Sequence, residues 1–186
     1  MDLTEKTLES REVYRGRILR VREDRVLLPN GQEAQREIVE HPGGVGILAL
    51  DADGCAVMVR QYRYAFGQTL LEIPAGKLDD PDEEGIVCAS RELKEETGYS
   101  SDDLEWLLTI RTTVAFCDER IEVFVARNLI PGEQHLDEDE FVDVKAYKLE
   151  ELKGMIFEGK IQDSKTMAAI LAYESKYLHG QNAWNS

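Results

Sequence analysis

The chain has 186 residues, of which 42% are hydrophobic, and its 22 Lys and Arg against 37 Asp and Glu give a formal net charge of −15 at pH 7. These values fit one compact domain with a small additional element and exclude a disordered or fibrous chain. So acidic a protein is not expected to coat nucleic acid, and an anionic ligand must be attracted by local arginines or bound divalent cations.

Three cysteines, Cys55, Cys88 and Cys117, are odd in number and widely spaced. This pattern fits neither a disulfide framework nor a cysteine-rich zinc site, and Cys117 is expected to be a packed thiol without a nucleophilic role. Residues 1–20 lack the apolar run of a signal peptide, and no later stretch is long enough to span a bilayer. We therefore expect a soluble cytoplasmic protein without a membrane partner.

The start of the chain favours extended structure. Residues 13–21 are rich in β-branched side chains, and residues 25–28 lead into the turn sequence Pro29-Asn30-Gly31. Residues 35–40 then return as a second strand of the same hairpin. We assign residues 1–42 to a small N-terminal antiparallel β-sheet.

The remainder alternates between strand and helix patterns. Strands are predicted at 45–50, 55–63, 70–73, 121–126 and 142–149. Helices are predicted after the acidic segment at 79–84, running to about 97, and at 149–157 and 164–177. Gly98 is the natural end of the first helix. The fold class is therefore α/β of the α+β type, with a main domain at residues 43–180 and a tail at 181–186.

The first helix carries a group of acidic side chains. Glu92, Glu95 and Glu96 fall within about 100° of one face, whereas Ile86, Val87 and Leu93 are expected to anchor the other face in a core. A glutamate stripe alone is typical of a solvated helix face. Glu92 and Glu96, however, are four residues apart and repel each other, and Lys94 points elsewhere.

Crowded carboxylates of this kind bind hard cations such as Mg²⁺ or Mn²⁺. The turn Pro74-Ala75-Gly76 lies just upstream of the helix. Glycine permits a backbone path at this turn that would leave the Ala75 carbonyl free as a further ligand. A cation bound there would suit a phosphate group.

The order of Gly76, Glu83 and the run RELKEETGY at 91–99 resembles the Nudix box. The resemblance implies a Nudix α/β/α sandwich with a mixed sheet after the small N-terminal sheet, and metal-dependent hydrolysis of a nucleoside diphosphate linked to another group. One departure is that six residues separate Gly76 from Glu83, where the usual box has five. Either the extra residue lies in the loop, or Asp82 replaces the glutamate.

The same resemblance implies a role for each residue of the box. Glu92 and Glu96 would be the principal metal ligands and so catalytic residues, with Glu95 as a contributor, and Arg91 would orient a glutamate. Glu83 falls on the opposite side of an ideal helix from Glu92, so a helix-start or loop-bracing role suits it better than metal binding.

Five segments in order, REIVE at 36–40, VRQYR at 59–63, LEIPAGKL at 71–78, LDEDE at 136–140 and GKIQDSKT at 159–166, resemble the ADP-ribose pyrophosphatase subfamily. This resemblance implies a homodimer in which Arg36 and Glu37 reach the site of the partner subunit. It also places Arg63, Lys77 and Glu119 at the substrate, a small-molecule nucleoside diphosphate derivative.

The acidic segment at 137–140 would otherwise be typical of solvated charge. The resemblance indicates Glu138 as the general base and Glu140 as a metal ligand, although the base could be either of the two. The implied reaction is the Mg²⁺-dependent hydrolysis of ADP-ribose to AMP and ribose 5-phosphate.

A second departure concerns the substrate. The segment TTVAFCDE at 112–119 stands where the subfamily usually has Ser-Pro-Gly. This change favours hydrolysis of another nucleotide sugar, such as GDP-mannose, as the alternative. A Nudix-fold nucleotide-binding module without catalysis is a further alternative, although such modules usually have a degraded box.

Overall fold

The structure is a computed structural model, and it describes residues 1–80, 82–138 and 140–178. The chain divides into two compact units. The first contains Met1–Gly43 and Arg111–Arg120, and the second contains Gly44–Ile110 and the chain from Ile121 onward. The predicted tail at 181–186 lies outside the described residues.

The first unit contains the predicted small antiparallel sheet, which has three strands. Its strands, in spatial and sequence order, are β1 (Lys6–Arg15), β2 (Arg20–Leu27) and β3 (Glu33–Glu40). The turn between β2 and β3 contains Gly31 at φ 83°, a conformation that glycine adopts without strain. The extended structure expected at 13–21 is divided between β1 and β2, because the chain reverses where the Gly16 N–H donates to the Leu19 carbonyl.

The second unit contains a seven-stranded mixed sheet. Its strands are β4 (Gly44–Leu50), β5 (Cys55–Arg63), β6 (Gln68–Glu72), β7 (Ala75–Lys77), β8 (Asp103–Arg111), β9 (Arg120–Arg127) and β10 (Val142–Lys148). The main order is β10-β5-β4-β9-β8, with β6 paired to β5 and β7 paired to β4. β4 and β9 run parallel, whereas β5 is antiparallel to β4 and β10. The sequence pattern did not predict β8.

Three α-helices accompany this sheet: α1 (Gly85–Thr97), α2 (Leu149–Phe157) and α3 (Ser164–Tyr173), the last followed by a π-helical turn at Glu174–Leu178. The bounds predicted for α2 are confirmed. α1 begins directly after the acidic segment at 79–84, as predicted, and it ends as predicted at Gly98, whose φ is 74°. The predicted helix at 164–177 corresponds to α3 and the π-helical turn.

Alternate residues of the central strands fill two cores, one on each face of the sheet. Leu48, Met58 and Val125 pack with residues of α2 and α3, including Leu152 and Ile170. On the other face, the core consists of Val45, Ile47, Ala49, Val57, Leu78, Cys88, Ala89, Leu93, Phe124 and Ala126, three of which belong to α1. Strands buried on both faces are typical of layered α/β units, so the predicted α/β/α sandwich is confirmed.

The sequence predicted no membrane-spanning segment and no disulfide framework, and both can be compared with the described part of the chain. No helix there is long and apolar enough to cross a bilayer. Cys55, Cys88 and Cys117 are free thiols, of which Cys88 is buried and the other two are half-buried.

Candidate metal centre

The α1 helix presents a different face to the core from the one predicted. Its buried side consists of Cys88, Ala89, Leu93, Glu96 and Thr97. Ile86 and Val87 are 43% and 55% exposed, so the prediction that they anchor the helix is wrong. The core stripe follows the small residues Cys88 and Ala89, which let the helix approach the sheet closely. Glu96 lies within this stripe and is therefore buried with it.

Glu96 is a buried carboxylate beside the start of β7. It is 3% exposed, and its Oε2 accepts a hydrogen bond of 2.9 Å from the Ala75 N–H. Burial, reinforced by the charges of Glu92 and Glu140, raises the pKa of Glu96 to about 8. Burial also raises the pKa of Glu92, together with the charges of Glu95 and Glu140 and against the lowering effect of Arg91. Glu140 is therefore close enough to both helix glutamates for their negative charges to interact.

Gly76 provides the space for Glu92. A Cβ atom at this position would lie 1.9 Å from the Glu92 Cδ, so any larger residue would displace the carboxylate. Gly76 lies in β7 and does not have a positive φ. The expectation that it supplies a special backbone path is therefore wrong, and its role is to permit the close approach of a side chain.

Arg91 binds the other side of the glutamate group. Its Nη1 is 2.7 Å from Glu92 Oε1 and 3.1 Å from Glu95 Oε2. Glu92 was expected to have no partner on the helix, and this is wrong because the adjacent arginine reaches it. Arg91 thus has the orienting role that the box implies.

The loop before α1 resolves the spacing of the box. Glu83 Oε2 accepts the Asp79 N–H at 2.9 Å and lies 3.4 Å from Arg91 Nη2. Asp82 is exposed, and its N–H donates to Asp80 Oδ1 at 2.8 Å. Glu83 therefore braces the loop as predicted, and the additional residue belongs to the loop.

The segment before the acidic loop crosses the carboxyl end of α1. The Gln134 side chain donates to the Glu96 carbonyl at 2.5 Å, and the His135 N–H donates to the Glu95 carbonyl at 3.0 Å. These contacts bring residues 136–140 to the helix that carries the glutamates. Glu138 is exposed in a turn, Glu140 is half-buried, and Asp139 lies outside the described residues. Sequence reasoning missed Gln134 and His135, which carry no recognisable chemical signal.

Arg63 is bound in a buried ionic group. Its Nε and Nη2 donate to Glu72 Oε1 and Oε2 at 2.7 and 2.8 Å, and Lys165 also donates to Oε2. Burial alone would raise the pKa of Glu72, but the hydrogen bonds from Arg63 and the charge of Lys165 lower it. Sequence reasoning missed Glu72 and Lys165, although a glutamate within the apolar run Leu70-Leu71-Glu72-Ile73 is a signal that a buried charge needs partners.

The remaining predicted substrate residues lie in different places. Lys77 is exposed at the end of β7, with its Nζ 3.9 Å from Asp79 Oδ1. In the first unit, Arg36 Nε donates to Glu5 at 2.9 Å, and Glu37 is exposed. Arg36 and Glu37 line a cavity of about 680 Å³ whose other residues are Val13, Val21, Arg22, Glu23, Gln35, Val39, Ala115 and Phe116.

Glu119 is held by neighbours of the first unit. Its Oε2 accepts a hydrogen bond of 2.6 Å from the Thr112 hydroxyl, and its Oε1 lies 3.3 Å from His41 Nδ1. These contacts tie together the two ends of the segment that departs from the subfamily pattern. The carboxylate therefore has a fixed orientation.

The acidic side chains fit a divalent cation in their chemistry. Within the described ranges, no three acidic, histidine or cysteine side chains converge closely enough to hold an ion. The donor set nevertheless consists of carboxylate oxygens, which hard cations prefer. The raised pKa of Glu96 shows that burial disfavours the charged carboxylate, which a bound cation would stabilise.

Comparison with known proteins identifies the family. A profile of the NUDIX domain matches residues 40–170, and one of the nucleoside diphosphate sugar hydrolase N-terminal domain matches residues 5–39. The chain is 44% identical to the methanol dehydrogenase activator of Bacillus methanolicus, over 96% of this chain and 95% of the relative. It is 40% identical to the ADP-ribose pyrophosphatase of Bacillus subtilis (strain 168), over 97% and 96% of the two chains.

A solved structure described as an ADP compounds hydrolase has the same fold, with a TM-score of 0.84 at 23% identity and coverage of 98% of both chains. Nudix hydrolases generally depend on a divalent metal, which agrees with the carboxylate chemistry of α1. The chain therefore belongs to the Nudix hydrolase family, as a pyrophosphatase related to the ADP-ribose pyrophosphatases and acting on a nucleotide derivative.

Proposed function

We propose that the chain hydrolyses the diphosphate bond of ADP-ribose to give AMP and ribose 5-phosphate, with Mg²⁺ as its cofactor and Mn²⁺ as a substitute. The observation that carries this proposal is the interacting group of Glu92, Glu96 and Glu140, two of whose pKa values are raised. The 40% identity to an ADP-ribose pyrophosphatase over nearly the whole chain supports the choice of substrate.

Glu92, Glu95, Glu96, Glu140 and the Ala75 carbonyl would hold the metal. When bound, Mg²⁺ would neutralise the diphosphate and lower the pKa of a bound water. Such a cation also accounts for anion binding by a chain with a net charge of −15.

Glu138 is the proposed general base. Its carboxylate is exposed, and it lies three residues after His135, whose N–H is bound to the end of α1. Glu140 interacts with Glu92 and Glu96, which favours it as a ligand and leaves Glu138 to accept the proton of the attacking water. The water oxygen then bonds to one phosphorus as the bridging P–O bond breaks. Arg63 and Lys77 would bind phosphate oxygens.

We further propose that the protein is a cytoplasmic homodimer in which Arg36, Glu37 and Glu119 contribute to substrate binding. All ten residues of β1 are exposed, including Val13 and Tyr14. β1 is an edge strand of its sheet, and a second copy would cover this exposed surface. Sedimentation of the purified protein tests the dimer, and a monomer at assay concentration would contradict it.

The decisive experiment is a panel of ADP-ribose, GDP-mannose and other nucleotide sugars, with and without Mg²⁺ and with identification of the products. ADP-ribose should have the highest kcat/KM. A higher value for GDP-mannose would favour the alternative indicated by the segment at 112–119. Tight nucleotide binding without hydrolysis at saturating Mg²⁺ would favour a non-catalytic binding module.

A second candidate function is activation of a methanol dehydrogenase, because the relative of that name is 44% identical over 96% of the chain. The test adds the purified chain to such a dehydrogenase and measures its rate. Including the Glu96→Gln variant shows whether any activation requires the hydrolase site. An unchanged dehydrogenase rate would exclude this function.

A further inference from the structure

The hairpin of β5 and β6 directs Arg63 towards Glu72. Its register pairs Arg63 with Gln68 and Val59 with Glu72. Arg63 and Glu72 therefore lie on the same face of the hairpin, although Glu72 is four residues further along β6. The arginine side chain extends along this face until Nε is 2.7 Å from Oε1 and Nη2 is 2.8 Å from Oε2. A bidentate contact of this kind fixes the plane of the guanidinium.

The α3 helix holds Glu72 from the other side. Lys165, in the first turn of α3, donates to Glu72 Oε2, and its Nζ is 3.1 Å from Asp163 Oδ2. Lys165 is 7% exposed and Glu72 is 2% exposed. The lysine stem also packs beside Gly46 of β4, whose Cβ would lie 3.8 Å from the Lys165 Cδ. Both charged side chains are therefore buried together with the groups that bind them.

The same strand end is tied to both helices. The Ile73 N–H donates to Thr166 Oγ1 of α3 at 2.9 Å. Two residues later, the Ala75 N–H donates to Glu96 of α1 at 2.9 Å. The charge of Glu96 also acts on Arg63. Arg63 and the carboxylates of α1 are thus anchored on one short segment, residues 72–75.

An ionic group buried between a helix and a sheet carries a large desolvation penalty. Well-packed apolar side chains of similar volume usually stabilise a buried position as well as an ion pair does. A purely structural contact therefore does not require Glu72 and Lys165 to be charged. Those charges are required, however, if Glu72 must hold the cationic Arg63 side chain in one orientation.

We propose that Glu72 and Lys165 are positioning residues that orient Arg63 for the substrate diphosphate. This inference rests on the proposed function. Within the described part of the chain, the hydrogen bonds of Arg63 come from Nε and Nη2, which leaves Nη1 for a phosphate oxygen. The side chain of Arg63 is 37% exposed, so a ligand can reach it. Lys165 limits the movement of Glu72, and Glu72 limits the movement of Arg63.

A double-mutant cycle separates positioning from structure. The variants are Glu72→Gln, Arg63→Ala and the two combined, assayed for kcat/KM on ADP-ribose at saturating Mg²⁺. If Glu72 acts through Arg63, Glu72→Gln should lower kcat/KM about 10-fold in the parent chain and less than about 2-fold in the Arg63→Ala background. The combined variant keeps the Lys165–Asp163 pair, so it buries no unpaired lysine.

Thr166→Val is the matched control, because it removes the contacts of Thr166 Oγ1 with the Ile73 N–H and Asp163 Oδ2 and leaves the contact between Arg63 and Glu72 in place. Its effect on kcat/KM should be the same in both backgrounds. Lys165→Met should lower kcat/KM, whereas Lys165→Arg should keep it near the parent value. These two variants test the positioning proposal if Glu72→Gln does not fold. Equal losses from Glu72→Gln in both backgrounds would overturn the proposal.

The same cycle is measured on the dissociation constant of α,β-methylene ADP-ribose, a non-hydrolysable analogue. If the parent chain binds this analogue without hydrolysing ADP-ribose, the proposed function fails while the cycle still tests the positioning of Arg63. If the parent chain neither binds the analogue nor hydrolyses ADP-ribose, both proposals fail.

Discussion

The N-terminal sheet and the α1 helix hold acidic side chains in opposite ways. In the sheet, Arg25 lies 2.8 Å from Glu33 and 3.2 Å from Glu9, and all three side chains are exposed. On α1, Glu96 is 3% exposed, accepts a backbone N–H and has a pKa raised to about 8. The negative charge of an exposed acid with an arginine partner is already balanced by the arginine and by solvent. A buried acid whose neighbours are other acids needs a cation, and this difference marks the functional site.

The largest effect is expected from Glu96→Gln. The glutamine oxygen can still accept the Ala75 N–H, so the fold should survive, but the negative charge is lost. We expect kcat/KM to fall by about three orders of magnitude, since metal ions contribute several kcal/mol of charge stabilisation to such transition states. Steady-state kinetics measure the loss of kcat/KM, and the thermal midpoint shows whether the fold survives. Substantial residual activity would show that Glu96 is not a metal ligand.

A smaller effect is expected from Gly76→Ala. The new Cβ would lie 1.9 Å from the end of the flexible Glu92 side chain, so Glu92 must move while the backbone need not. We expect kcat/KM to fall by roughly 10-fold to 100-fold, as displaced catalytic groups cost about that much. Gly154→Ala in α2 is the matched control, because its Cβ would meet no atom within 4 Å. If Gly76→Ala retains full activity, the position of Glu92 is unimportant.

The third prediction concerns stability in the presence of Mg²⁺. At about 100 times its dissociation constant, a ligand that binds only the folded state stabilises it by about 3 kcal/mol. For a chain of this size, this corresponds to a rise of roughly 5–10 °C in the thermal midpoint. Glu96→Gln should abolish most of the rise, whereas Arg25→Ala in the exposed sheet should leave it unchanged. Equal rises in all three proteins would place the cation elsewhere.

Local periodicity explains what could be predicted from sequence. The helical repeat placed Glu92, Glu95 and Glu96 on one face, and Gly98 at the end of the helix, because both depend on neighbours along the chain. The same reasoning failed for Ile86 and Val87. Hydrophobicity alone does not show which apolar residues face a sheet when small residues such as Cys88 and Ala89 allow closer packing.

Contacts between distant segments were beyond such reasoning. Glu72 and Lys165 are 93 residues apart, and their ion pair depends on how α3 packs on the sheet. Gln134 is 38 residues from Glu96, whose carbonyl it binds. The roles of Arg36 and Glu37 came only from resemblance, and they stay predictions. Motifs indicated the chemistry of the site, whereas the tertiary fold determined which side chains support it.

The smallest predicted effect concerns Glu105, a partnered acid of the second unit. Its Oε1 accepts hydrogen bonds from the Tyr177 hydroxyl and from Lys176 Nζ at 3.0 Å, and its Oε2 accepts one from Arg127 at 3.1 Å. These donors, Tyr177 first, lower the pKa of Glu105 to about 2 from its ordinary value of 4.5. Glu105 lies in the same compact unit as Glu96. It therefore shows how partners change the pKa of an acid within that unit.

Above its unfolded pKa, the Glu105 carboxylate is charged in both states and its contacts stabilise the folded protein. As pH falls from 4.5 towards 2, the unfolded state binds a proton first, so this contribution is lost. The side chain is 43% exposed, and solvent screening limits the contribution to under about 1 kcal/mol. Urea unfolding of the parent and Glu105→Gln should therefore differ slightly at neutral pH and converge through this range. A difference that grows as pH falls would mean that the contacts of Glu105 do not favour its charged form.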